Sequence, residues 1–146
     1  MNVSSTASVP STALHASVFL KSADVAGRIL LVALFLLAGV RQLGGGYAGT
    51  ARLMAAHSVP SVLLPLVILT ELGGGLAVIL GWRTRIAAFL LAGYTLLTAL
   101  IFHTNFADPT QPGMFRFHMA VVGGFLILLA NGAGPLSLDH WRKSSR

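Results

Sequence analysis

Cysteine is absent from the 146 residues. The chain therefore cannot form a disulfide, run dithiol exchange, or hold an iron–sulfur cluster through thiolates. Any redox chemistry it serves has to sit on a bound cofactor, a lipid-soluble carrier or another subunit. Charge is also scarce, at 10% of residues, where soluble domains carry about a quarter. A water-facing surface for a chain of this size cannot be made from so few polar side chains. What is present instead is apolar: 55% of residues are hydrophobic and the mean hydropathy is +0.79. The length suits one domain, lying mostly in lipid.

The net charge is +6 and the sequence pI is about 11.3. The Lys and Arg residues stand at the edges of apolar runs, with no basic stripe interleaved with aromatics. That pattern argues against nucleic acid as a partner and for charges that orient membrane helices.

Residues 1–22 are rich in Ser, Thr and Ala and lack a basic start followed by a compact apolar core, so they read as a flexible tail and not as a signal peptide. Apolar segments follow at about 23–43, 61–80, 85–102 and 114–130. A helix rises ~1.5 Å per residue and the hydrocarbon layer is ~30 Å thick, so ~17–25 residues suffice to cross it. The fourth segment is the shortest fit, because Arg116 and His118 fall near its start. The breaks between segments are Gly44-Gly45-Gly46, Pro60, Gly81-Trp82-Arg83, Asp108-Pro109 and Asn131-Gly132. They belong at the membrane surfaces, since unpaired backbone is not tolerated in lipid. Residues 48–57 fit a short interfacial helix, and Pro65 falls early in the second span, where its missing N–H costs least. Residues 141–146 form a basic C-terminal tail. The expected fold is all-α: an integral membrane four-helix bundle over residues 23–140, packed through Gly73, Gly74, Gly75, Ala88, Ala92, Gly93, Gly123 and Gly124.

Lys21, Arg28, Arg83, Arg85, Arg142, Lys143 and Arg146 fall on one side of such a bundle, and Arg41, Arg52 and Arg116 on the other. The positive-inside rule places both termini in the cytoplasm, with Trp82 and Trp141 as anchors at the inner interface.

Glu71 stands halfway along the second apolar segment. A carboxylate at that depth is costly and faces a partner, the bundle interior or a wet cavity. His103 closes the third span, His118 opens the fourth, and Arg41 and Gln42 end the first, all toward the outer side. With Glu71 they converge on one outward-facing polar cavity, with Glu71 and His103 as the reacting groups and Arg41, Gln42 and His118 as ligand-binding residues. The alternative is that Glu71 is structural glue between helices and that each histidine is an interfacial side chain bonded to water or a carbonyl. The histidines show no ligand spacing, so no metal site is expected.

The stretches LFLLAGVRQL at 34–43, SVP at 58–60, ELGGGLAVILGWRTRIAA at 71–88, FH at 102–103, GG at 123–124 and GAGPLSLD at 132–139 resemble the DoxX family of small bacterial membrane proteins. The resemblance covers about residues 25–140. It implies four spanning helices and a multi-pass place in the bacterial inner membrane. It also implies an association with quinone-linked oxidation of sulfur compounds, with oxidant-detoxifying complexes, or with a quinol oxidase as a subunit. The family's polar positions match Glu71 and His103. The chain departs where the family often carries Lys, at Arg41-Gln42, and Lys-Asn, at Phe117-His118.

The expected function is a redox-associated subunit binding a quinone-like molecule in the outer half of the bundle, beside a soluble or membrane oxidoreductase partner. Glu71 would exchange a proton with the head group and His103 would hydrogen-bond its carbonyl. No covalent cofactor is expected. A non-catalytic scaffold or assembly partner is the alternative, and a small transporter component, which would have to form a homo-oligomer, is the third.

Overall fold

The structure, a computed structural model, describes the backbone of residues 11–145 and the side chains of residues 17–145. Among these residues there is helix and no strand. The first helix, α1, spans Ser11–Arg41. It therefore takes in residues 11–22, expected as tail, while residues 1–10 lie outside the described part. Gly44 leaves the helical region at φ −89, ψ −139, and the chain turns there through Gln42–Gly46 into α2, Tyr47–Ala56, the short helix expected near residues 48–57.

The second span, Ser61–Leu80, is built in pieces. A single 3₁₀ turn, Ser61–Leu63, leads into α3, Leu64–Leu69, with Pro65 in its first turn. A π-helical turn, Thr70–Gly74, then passes into α4, Gly75–Leu80. Two uninterrupted spans follow, α5 at Thr84–Phe102 and α6 at Gln111–Asn131. α6 begins earlier than expected, with Pro112 in its first turn, so Arg116 and His118 stand in its second turn and its 21 residues cross the hydrocarbon readily. α7, Leu138–Ser144, turns the basic C-terminal stretch into a short helix.

α5 lies along α6, and α1 along α4. Val32, Val78, Ala88, Leu91 and Phe125 meet at the centre, and Met54, Leu64 and Ile68 seat α2 at the far end from the termini. The outer faces carry Leu30, Leu37, Leu66, Phe89, Leu97 and Ile127, all exposed, as a lipid-facing surface requires. Two glycines set the close approaches to α1: an added Cβ would lie 2.8 Å from Leu36 Cδ2 at Gly75, and 2.9 Å from Leu31 Cδ1 at Gly124. At Gly93 and Gly123, expected on packing faces, it would meet nothing within 4 Å. The architecture is a four-helix membrane bundle.

Side chains from distant segments satisfy the helix ends beside the termini. Arg28, 3% exposed, donates from Nη1 to the carbonyls of Val78 (3.2 Å) and Ile79 (3.0 Å), and from Nη2 to that of Leu136 (2.6 Å). Asp24 Oδ2 lies 3.5 Å from Arg28 Nε. Arg85 Nη2 donates to the Ala130 carbonyl at the end of α6 (3.0 Å).

Asp139 caps α5 from 55 residues away in sequence. It accepts from the N–H of Arg83 (2.8 Å) and from the N–H (2.8 Å) and hydroxyl (2.9 Å) of Thr84, while its own N–H donates to the Gly81 carbonyl (2.9 Å). Burial acts to raise the Asp139 pKa, but these hydrogen bonds outweigh it and hold the carboxyl below its ordinary range. A depressed folded-state pKa gives stability that is present above the unfolded value, ~3.9, and fades as pH falls through the folded one. Asp139→Ala should accordingly cost ~1–2 kcal/mol at pH 7, as loss of an N-cap does. The gap to the wild type should narrow in melts run at pH 3. Identical melts at pH 7, or a gap undiminished at pH 3, would remove Asp139 as a charged cap.

Candidate functional site

Glu71 lies in the π-helical turn of the second span and is 4% exposed. A π turn inserts an extra residue and redirects the side chains around it, which is why such turns gather at functional positions. Both Glu71 oxygens are engaged: Oε1 accepts from the Tyr94 hydroxyl at 2.6 Å and Oε2 from Gln42 Nε2 at 3.0 Å. The carboxyl thus ties α5 and the end of α1 to the second span. Gln42 Oε1 is buried and has no hydrogen-bond partner.

Beside Glu71 is a cavity of about 150 Å³ lined by Leu34, Phe35, Ala38, Glu71, Tyr94, Thr95, Thr98, Phe117, His118 and Val121. Its walls come from α1, the second span, α5 and α6. Phe35 stands edge-on to both Tyr94 (centroids 6.3 Å apart) and Phe125 (5.5 Å), which gives the cavity a rigid aromatic side. Leu34 and Phe117 on its rim are exposed on the lipid-facing surface.

The histidines meet each other at the end of the bundle away from the termini. The rings of His103 and His118 lie 4.7 Å apart. His118 Nδ1 bonds to the Met114 carbonyl at 2.8 Å, and His103 Nδ1 to Gln111 Oε1 at 2.8 Å. A carbonyl only accepts, so Nδ1 of His118 carries the proton and Nε2 is left as an acceptor. His118 lines the cavity and His103 stands behind it, touching the site through the His118 ring. Arg41 is exposed and the structure does not bring it to the cavity. Gln42 reaches the site through Glu71. Among the described residues no group of three or more His, Asp or Glu is placed to hold a metal.

Tyr94 is the site residue that sequence reasoning missed. A phenol in the middle of a 19-residue apolar helix needs a hydrogen-bond partner, and a buried acid one span away is the obvious acceptor. The signal was available in that pairing.

The comparisons with known proteins agree with this architecture. The chain matches the DoxX family model over residues 23–104. It is 49% identical over 113 residues to inner membrane protein YqjF of Escherichia coli, covering 77% of this chain and 86% of that one. It is 34% identical over 120 residues to inner membrane protein YphA of the same organism, covering 77% and 85%. No solved structure matches the chain. Four apolar helices of spanning length and two inner-membrane relatives make this a multi-pass protein of the bacterial inner membrane. The chain belongs to the DoxX family.

Proposed function

We propose that the chain is a redox-associated membrane subunit that takes a quinone-like ring into the cavity beside Glu71. The observation that carries this reading is the cavity itself. An otherwise apolar, aromatic-walled space within the bundle has a carboxyl, a phenol and an imidazole on its lining, supplied by three different helices. A cavity of ~150 Å³ accommodates one six-membered ring. A prenyl tail would leave past Leu34 and Phe117 into lipid.

Reducing a quinone to its quinol takes up two electrons and two protons. The chain has no cysteine, and the electrons are assigned to a partner oxidoreductase. The chain's own residues would position the ring and handle protons: Glu71 and Tyr94 share one proton-carrying contact, and His118, its Nδ1–H held by the Met114 carbonyl, would accept at Nε2 from the hydroxyl of the quinol form. His118 thereby stands where His103 was expected, as an acceptor from the quinol hydroxyl in place of a donor to the quinone carbonyl, and His103 packs against its ring.

The test is binding of a short-chain ubiquinone analogue to purified protein, followed by isothermal titration calorimetry. Glu71→Gln should weaken it about ten- to a hundredfold, the worth of one hydrogen bond to a charged group. Equal affinity in both proteins would end the reading. One observation favours a scaffold instead: both Glu71 oxygens are already satisfied inside the protein. In that case Glu71→Gln would lower the melting temperature while neither protein bound the quinone.

A further inference from the structure

The charged groove beside the termini plays no part in the cavity and lies at the opposite end of the bundle. Between the start of α5 and the end of α6 there is a depression of about 640 Å³, with Arg83, Arg85, His140, Arg142 and Lys143 on its lining. Asp139 is the acid that shares the lining, and its oxygens are turned to the N–H groups of Arg83 and Thr84 and to the Thr84 hydroxyl. The ion pair found among the described residues is Arg28 with Asp24, so among those residues Arg83, Arg142 and Lys143 have no carboxylate within salt-bridge distance, and Lys143 acts on Asp139 from farther away. Several cations around one concavity, with their nearest acid already committed to backbone and hydroxyl donors, make a positive surface that attracts an anion.

The surroundings say which kind of anion. Trp82 and Trp141, 46% and 66% exposed, stand beside the lining residues Arg83 and Arg142 in sequence, at positions suited to the headgroup layer. Arg83 lies against the Trp82 ring, 6.0 Å from its centroid. The apolar faces run on from the groove into the bilayer. Ile86 lines the groove, and Phe89 and Leu90, one turn along α5, are exposed. Asn131 lines it from α6, and Ile127, one turn back, is exposed too. A soluble anion would use the cations alone, whereas a lipid would use the cations and both apolar faces.

We propose that this groove binds the phosphate diester of an anionic phospholipid, with its acyl chains lying on the exposed faces of α5 and α6. Basic pockets between transmembrane helices at the cytoplasmic surface recognise such headgroups, each Lys or Arg near the surface contributing ~1 kcal/mol.

The chain's two tryptophans are Trp82 and Trp141, so intrinsic fluorescence reports on this groove. Protein in nanodiscs is titrated with brominated phosphatidylglycerol, with brominated phosphatidylcholine, or with inorganic phosphate in the presence of the anionic lipid. The anionic lipid should quench at about a tenfold lower mole fraction than the zwitterionic one. The double variant Arg142→Gln/Lys143→Gln changes two exposed helical side chains that make no side-chain hydrogen bond among the described residues, and should abolish that preference. Arg52→Gln/Arg116→Gln, which removes the same charge at the other end, should preserve it. Equal quenching by the two lipids overturns the proposal. So does a preference that survives the α7 variant, or millimolar phosphate displacing the lipid, which would make this a site for a soluble anion.

Discussion

Arg28→Met should lower the stability of the folded bundle by ~3–5 kcal/mol, the usual cost of removing one member of a buried charged network. Three carbonyls accept from this guanidinium: Val78 and Ile79 near the end of α4, and Leu136 in the segment leading to α7. With the fork gone the Ile79 and Leu136 oxygens lose the side-chain donor they accept from, the Val78 oxygen keeps only the Gly81 N–H (3.2 Å), and Asp24 is left half-buried without its cation. Methionine fills similar volume, so the loss measures hydrogen bonding and charge more than packing. Arg28→Lys should fall between, since one ammonium cannot span three acceptors in the fork geometry of arginine. Thermal melts in mild detergent check this. A Met variant that melts with the wild type would show that the carbonyls find other donors and that Arg28 holds nothing together.

The second large effect concerns Glu71. Glu71→Leu leaves the Tyr94 hydroxyl and the Gln42 amide as buried donors without acceptors, at ~1–3 kcal/mol for each unsatisfied group. Tyr94→Phe alone removes one donor to the carboxyl and should cost ~0.6–2 kcal/mol, as interhelical hydrogen bonds in membranes do. The double variant Glu71→Leu/Tyr94→Phe should be more stable than Glu71→Leu by itself, because phenylalanine no longer carries an orphaned hydroxyl. That recovery is the coupling a double-mutant cycle isolates. Strict additivity of the two costs would mean that the 2.6 Å contact contributes nothing.

The two latches differ in how far they could be foreseen. Glu71 declared itself, as an acid among Leu, Ile and Val. Its partners were harder to see, since they lie 29 residues before it and 23 after it. Gln42 was expected at the site through its place at the end of α1, whereas Tyr94 drew no expectation although its phenol needs an acceptor within an apolar helix. Arg41 and Gln42 are neighbours, yet the chain turns out of the helix directly after them, so one side chain goes inward and the other to the surface. His103 and His118 were both read correctly as residues of the end away from the termini. It is His118 on α6 that lines the cavity, and His103 reaches it only through the His118 ring. Arg28 and Arg85 looked like ordinary flanking charges, and nothing local shows that each would reach a carbonyl on another span.

The sequence alone determined that this chain lives in lipid, crosses it as four helices and breaks them at Gly and Pro clusters. Those outcomes follow from local chemistry, because hydrocarbon tolerates neither charge nor unpaired backbone and each segment meets that constraint by itself. Tertiary structure decided which polar groups meet. The Glu71–Tyr94–Gln42 contact, the cavity beside it, the Asp139 cap on α5 and the basic groove are properties of helix rotation and depth. Helices in lipid have no hydrophobic drive to set that rotation; it is set by close packing at small residues such as Gly75 and Gly124 and by the hydrogen bonds themselves.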